Sequence, residues 1–184
     1  MPREPRPPDD RYYEERTEWL RQGDLFRDVP LGYPFPPDAV DHQAGRRKFL
    51  AGPFEPGFGL LLTPTCSMHP QGEEFTGRYA HPHRALAPVR PLEELVERGA
   101  VREGAVAQIR QHDQSMNYWY VPAIEAAGLP ESLALLHAPI VVHHDYIADR
   151  RVAQLSPEAV VHLKRQLAAH VSGSLFAHED FDDA

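Results

Sequence analysis

The chain has 184 residues, 42% hydrophobic and 25% charged, a length suited to one domain and a composition ordinary for a globular protein. A chain of this size buries roughly 70% of its unfolded surface, so its core needs no disulfide or metal staple. The formal charge of -8 with neutral histidines disfavours a general nucleic-acid binder, which carries a basic face; Arg46-Arg47-Lys48 is the only basic triplet.

No run of about 18 apolar residues predicts a membrane-spanning helix, and the proline-rich, charged stretch Met1 to Asp10 lacks the apolar core of a secretory signal. The single cysteine, Cys66, excludes an intramolecular disulfide and a multi-cysteine zinc site within one chain. It fits a reducing, cytoplasmic setting. The arginine and alanine bias resembles that of GC-rich bacterial genomes.

In chain order, residues 1–8 read as a disordered or extended segment, 9–177 as a single globular domain and 178–184 as an acidic tail. Asp9 to Gln22 is expected to be a helix, capped by Asp9 or Asp10 and closed by Gly23. A strand from Gly23 to Val29 follows, then a long proline-rich loop over 30–57, functional or mobile by its length. Phe58 to Thr63 is a continuous apolar run, read as a central strand buried on both faces and ended by Pro64. Ser67 to His83 is a second polar loop and Arg84 to Val89 a strand. Pro91 to Arg98 is a short helix with Pro91 at its first position, one apolar face (Leu92, Leu95, Val96) and Gly99 beyond it. Ala105 to Gln111, Asn117 to Val121, Ser132 to Leu136 and Pro139 to Tyr146 read as strands. Last comes a helix capped by Ser156, with Pro157 in its first turn, a stripe of Val160, Leu163, Leu167 and Val171, and Gly173 as its stop. About six short strands and one long terminal helix predict an α+β fold: a small, strongly bent sheet or partly open barrel with the helix over one side.

Three segments carry a resemblance: Gly23-Asp24-Leu25-Phe26, Leu60-Leu61-Leu62-Thr63-Pro64-Thr65-Cys66, and Arg151-Val152-Ala153-Gln154-Leu155-Ser156. Together they resemble the SH3-like barrel proteins of the PemK/MazF toxin class and their uncharacterised relatives, the second segment being closest to relatives whose strand ends in a threonine–cysteine pair. The resemblance runs loosely from Gly23 to Val171. It implies a small SH3-like barrel, often a dimer; in the toxins it implies RNA cleavage by positioned arginine and threonine or serine side chains. Thr63 or Thr65 matches the strand-end hydroxyl. The toxins' Arg-Pro before the central strand is replaced here by Glu55-Pro56-Gly57-Phe58, so the resemblance speaks for the fold more than for a ribonuclease.

The candidate chemistry gathers at the exit of the apolar strand. Cys66 with His69 has the makings of a thiolate nucleophile and its base, with Thr65 beside them; a buried structural cysteine is the simpler alternative. For either threonine, satisfying nearby backbone is the simpler role. Cys66, His69, His81 and His83 form Cys-x-x-His followed by His-Pro-His, a donor set suited to zinc; the alternative is a solvated loop in which histidines cluster. No other cofactor is expected. In His143-His144-Asp145 neighbouring side chains face opposite ways on a strand, which predicts one core histidine and one exposed one; His144 or His143 oriented by a carboxylate would serve as a general base. Tyr118-Trp119-Tyr120 reads as a strand with Trp119 in the core and the tyrosines outside, and Tyr12-Tyr13 as packing or an interface patch on the first helix. Three functions follow: a regulatory or protein-interaction module with a protein partner or second copy, which is favoured; an enzyme of the ribonuclease or Cys66-dependent type; or a Cys/His metal-binding protein.

Overall fold

The computed structural model of the chain describes residues 8–31, 55–65, 68, 82–111 and 117–176. Eight antiparallel strands form one strongly curled sheet, a half-barrel, with a C-terminal helix against it. The strands are β1 (Tyr13–Glu14), β2 (Leu25–Leu31), β3 (Glu55–Leu61), β4 (His83–Pro91), β5 (Tyr118–Val121), β6 (Ser132–Leu135), β7 (Ile140–His143) and β8 (Arg151–Leu155). Their order is β1-β8-β2-β3-β4-β6-β5, with β7 also paired to β4. The helices are α1 (Leu92–Glu97), α2 (Val106–Arg110), α3 (His144–Ile147) and α4 (Pro157–Phe176). No helix is long and apolar enough to cross a membrane among the described residues.

β4 organises the sheet because it has three partners. One edge meets β3, from Leu86 opposite Leu61 to Val89 opposite Phe58. The other edge meets β7 through His83–Leu86 and β6 through Val89–Pro91. Ala85 accepts from Leu62 N–H (2.9 Å) and donates to Thr63 Oγ1 (2.8 Å), so it faces the β3 edge. By alternation Pro88 faces the other edge, in the gap where β7 has ended and β6 has not begun. Its missing N–H therefore breaks no ladder bond.

Burial on both faces explains the continuous apolar run of β3. Leu60 joins one core with Leu25, Ala87, Trp119, Val121, Ala134 and Leu155, over which α4 lays Ala159, Val160 and Leu163. Leu61 points the other way, into a second core with Phe26, Val29, Leu31, Leu86, Val142 and Ile147. A third cluster, under α1 and α2, holds Leu92, Leu95, Ile109, Tyr120 and Leu133. In β2 a bulge sets Arg27 and Asp28 against one residue of β3. It resets the alternation, so Phe26, Val29 and Leu31 reach the same core. Asp28 takes φ 53 there, a left-handed conformation that aspartate tolerates better than most residues.

The structure corrects several expectations. Asp9 to Gln22 is not a helix: a 3-10 turn at Asp9–Arg11 leads directly into β1. Tertiary demand overrides the local signals, since the fully buried Tyr12 donates to Tyr120 O (2.6 Å) while Tyr13 donates to Pro122 O (2.8 Å) and pairs with Leu155. Ala105 to Gln111 is helical because Ala105, Val106 and Ile109 have helical spacing and pack on the third cluster. The strand expected to reach Tyr146 stops at His143, because α3 turns the buried Ile147 into the second core. Tyr120 is buried and donates to Glu131 Oε1 (2.7 Å), which also receives Arg110. β8, read only as an approach to α4, is a paired strand. α4 runs through Gly173 to Phe176; one glycine in a helix costs only about 1 kcal/mol against alanine. The sequence segments 1–7, 32–54 (with Arg46-Arg47-Lys48) and 177–184 lie outside the described residues.

Gly23 turns the chain into β2 at φ 94, and a Cβ there would sit 2.9 Å from Leu155 Cδ1. The Gly23→Ala variant is expected to lose about 2 kcal/mol of stability through backbone strain and this contact, measured by urea denaturation. A change below about 0.5 kcal/mol, the range of a neutral surface substitution, would show that the turn relaxes.

Candidate functional site

Histidines converge where β4 begins and β7 ends. His83 lies directly opposite His143, and Arg84 opposite Val142. The ladder is continued by His144 N–H, which donates to Pro82 O at 2.6 Å. Alternation then sorts the side chains by face. His83 and His143 share an exposed face, their rings edge to face with centroids 5.8 Å apart. Arg84 is fully buried and His144 nearly so, which gives one core histidine and one exposed one at His143-His144.

His143 caps α3: its Nδ1 accepts from Asp145 N–H at 3.3 Å, and lies 3.5 Å from Asp145 Oδ2. The carboxylate of Asp145 therefore attends His143. Burial first, then the nearby Arg84 charge, hold the His144 imidazole below the ordinary histidine pKa. Arg84 Nη1 donates to His83 O at 3.0 Å, so backbone holds part of its fork.

At the exit of β3, the two threonines do backbone work. Thr63 Oγ1 accepts from Ala85 N–H (2.8 Å) and Thr65 Oγ1 from Gln22 N–H (3.1 Å), while Gln22 Nε2 donates to Leu62 O (2.8 Å). The hydroxyls accept backbone N–H groups where the chain leaves the ladder around Pro64. Cys66, His69 and His81 lie outside the described residues; of the proposed zinc donors only His83 is described. No group of three or more potential donors is placed to hold a metal among the described residues.

A second polar centre was not foreseen. Asp24 is fully buried before β2. Its Oδ2 accepts from Arg21 N–H (2.8 Å) and from Arg151 Nη1 (3.0 Å). The same guanidinium donates to Trp19 O (2.8 Å) and to Thr17 O. Gln154 completes the clamp, its Oε1 accepting from Thr17 N–H (2.9 Å) and its Nε2 donating to Glu14 Oε1 (2.7 Å), which also receives Arg21. Asp24 Oδ1 is buried without a hydrogen-bond donor among the described residues. Burial accordingly raises the Asp24 pKa, against the opposing pull of Arg21 N–H and Arg151. Nothing local marks this pair, whose members stand 127 residues apart.

Removing Arg151 leaves a buried carboxylate without its cation, so Arg151→Ala is expected to destabilise the fold by about 3 kcal/mol or more, and Asp24→Asn by less, because the amide is neutral. The pH dependence has two opposing parts. His144 is depressed below its ordinary 6.5, so its contribution is lost as pH falls from there toward its folded value; His144→Gln removes that loss. Asp24 is raised above its ordinary 3.8, so its protonation adds stability as pH falls through its folded value; Asp24→Asn removes that gain. Urea titrations of both variants across pH check the two signs.

No protein-family model matches this chain, and no curated protein matches it in sequence.

Proposed function

We propose that this chain is a protein-interaction module built on an SH3-like barrel, and that it works by binding a second copy of itself rather than by turning over a substrate. One observation carries the reading: α4 presents exposed apolar side chains outside its packed stripe. Twenty residues make a helix about 30 Å long, and among residues 157–172, whose side chains are described, the buried positions lie in the first two turns, with Leu167 half-buried beyond them. Ala168, Ala169 and Val171 beyond are exposed, Val171 by 57%, and Val161 is 45% exposed on the packed part. Exposed apolar side chains along a helix favour a partner surface, and a two-fold copy offers the same face in return. The dimeric habit of the barrel class that the sequence resembles supports the same partner. The curled antiparallel sheet is compatible with that barrel. The strand-end hydroxyls of Thr63 and Thr65, engaged by backbone, and the acidic net charge both favour binding over RNA cleavage.

Sedimentation velocity of the full chain tests this reading. Concentration-dependent association that Val171→Asp weakens at least tenfold is expected, since an exposed position tolerates the change while a buried interface does not. A chain monomeric at every concentration overturns it. RNA cleavage, or a Cys66 that reacts stoichiometrically with a substrate-like electrophile in the native state, favours the enzyme alternative.

A further inference from the structure

The paired histidines at the start of β4 and the end of β7 have a consequence that neither sequence motif contains. We propose that His83 and His143 form a two-histidine chelate for a divalent transition-metal ion such as zinc, with Asp145 as the positioning residue behind His143. The site crosses the sheet, joining residues from two strands that the sequence separates by the whole of α1, α2, β5 and β6.

Three observations carry it. First, His83 and His143 are directly opposed across antiparallel strands, an arrangement that puts their Cβ atoms about 5 Å apart on one face. The register, not chance rotamers, holds the rings together. Second, their centroids lie 5.8 Å apart; two imidazoles sharing one ion at Zn–N distances of about 2 Å place their centroids about 5 Å apart at a tetrahedral angle. Small side-chain rotations bring both Nε2 atoms to a common point. The face is open, with both histidines exposed and Val141, two residues before His143, 66% exposed, so an ion reaches it without opening the fold.

Third, the group behind His143 has what a metal-bound imidazole requires. In the observed arrangement Nδ1 accepts from Asp145 N–H, which leaves the ring proton on Nε2. Coordination through Nε2 needs that lone pair, so the proton must sit on Nδ1 instead, carried there through solvent. The Asp145 N–H bond to Nδ1 is given up in this exchange, and Asp145 Oδ2, 3.5 Å from Nδ1, closes on the new proton, giving the carboxylate–histidine–metal relay that fixes the tautomer and makes the ligand more basic. One proton changes ring nitrogen and none is lost. Two imidazoles leave the remaining coordination positions to water, which suits zinc, nickel or copper ions rather than magnesium or calcium, whose preferred ligands are oxygens. Arg84, between these residues in sequence, points to the opposite, buried face and its charge is kept away from the ion.

Equilibrium dialysis and calorimetry of the untagged full chain with zinc test the proposal, with cobalt as an optical probe. About one ion per chain is expected. His83→Ala and His143→Ala should each weaken binding by more than tenfold, and Asp145→Asn by about tenfold through the lost relay. Cys66→Ser and His69→Ala should leave it unchanged, and the cobalt complex should lack thiolate-to-metal absorption. Circular dichroism of every variant checks that folding is retained. Absence of zinc binding overturns the proposal, as does affinity that survives both histidine substitutions or that disappears with Cys66.

Discussion

The shape of this protein rests on the pairing of β4. A nine-residue strand with three partners ties the two halves of the sheet together, and the sheet curls around it. Its two faces feed different cores: Leu86 goes to the second, Ala87 and Val89 to the first. A one-residue slip would exchange every one of these side chains, so the register of β4 fixes both cores at once. The proline at 88 makes the register sharper. Its N–H side falls at the handover between β7 and β6, where no ladder bond is lost.

The same register creates the histidine end of the sheet. Beyond the region covered by α4, the outward positions of β4 and β7 carry His83, Val141 and His143, while the inward ones carry Arg84 and Val142. Polar chemistry is thereby divided between two environments only a strand's thickness apart. On the buried side, desolvation and the Arg84 charge hold the His144 pKa below its ordinary value. On the open side, His143 is oriented by Asp145 and accessible to solvent. Across β3, where Leu61 N–H donates to Asp24 O, buried charge serves another purpose. Arg151 and Asp24 hold the irregular chain from Thr17 to Asp24 against β8, a segment with no regular backbone ladder of its own. Its carbonyls at Thr17 and Trp19 need donors, and a guanidinium supplies several in a fixed fork.

Much of the fold was legible because burial leaves periodic traces. The continuous run from Phe58 to Leu61 announced a two-sided strand; Ser156-Pro157 announced the start of α4; Gly99, at φ 70, announced the end of α1. Segments whose conformation is set from outside were not legible. Tyr12 and Tyr13 sit in a stretch with helical caps, yet their hydroxyls are claimed by the carbonyls of Tyr120 and Pro122, more than a hundred residues away. Ala105 to Gln111 was misread because a short apolar pattern fits both periods. The bulge at Arg27 and Asp28 disguised the alternation of β2.

For the candidate site the division is similar. The sequence by itself determined which chemistries the chain owns: one thiol, a cluster of histidines around residue 83, a histidine pair ahead of Asp145, and a net charge of -8. Strand alternation predicts one buried and one exposed histidine at His143-His144; the split is found, although His144 opens α3 instead of continuing β7. Only the tertiary structure decided which histidine meets which. His83 faces His143 because two strands pair in one register, and Asp24 meets Arg151 because β8 returns beside β2. Contacts of that kind depend on strand pairing and loop closure across the whole chain, and no short stretch of sequence encodes them.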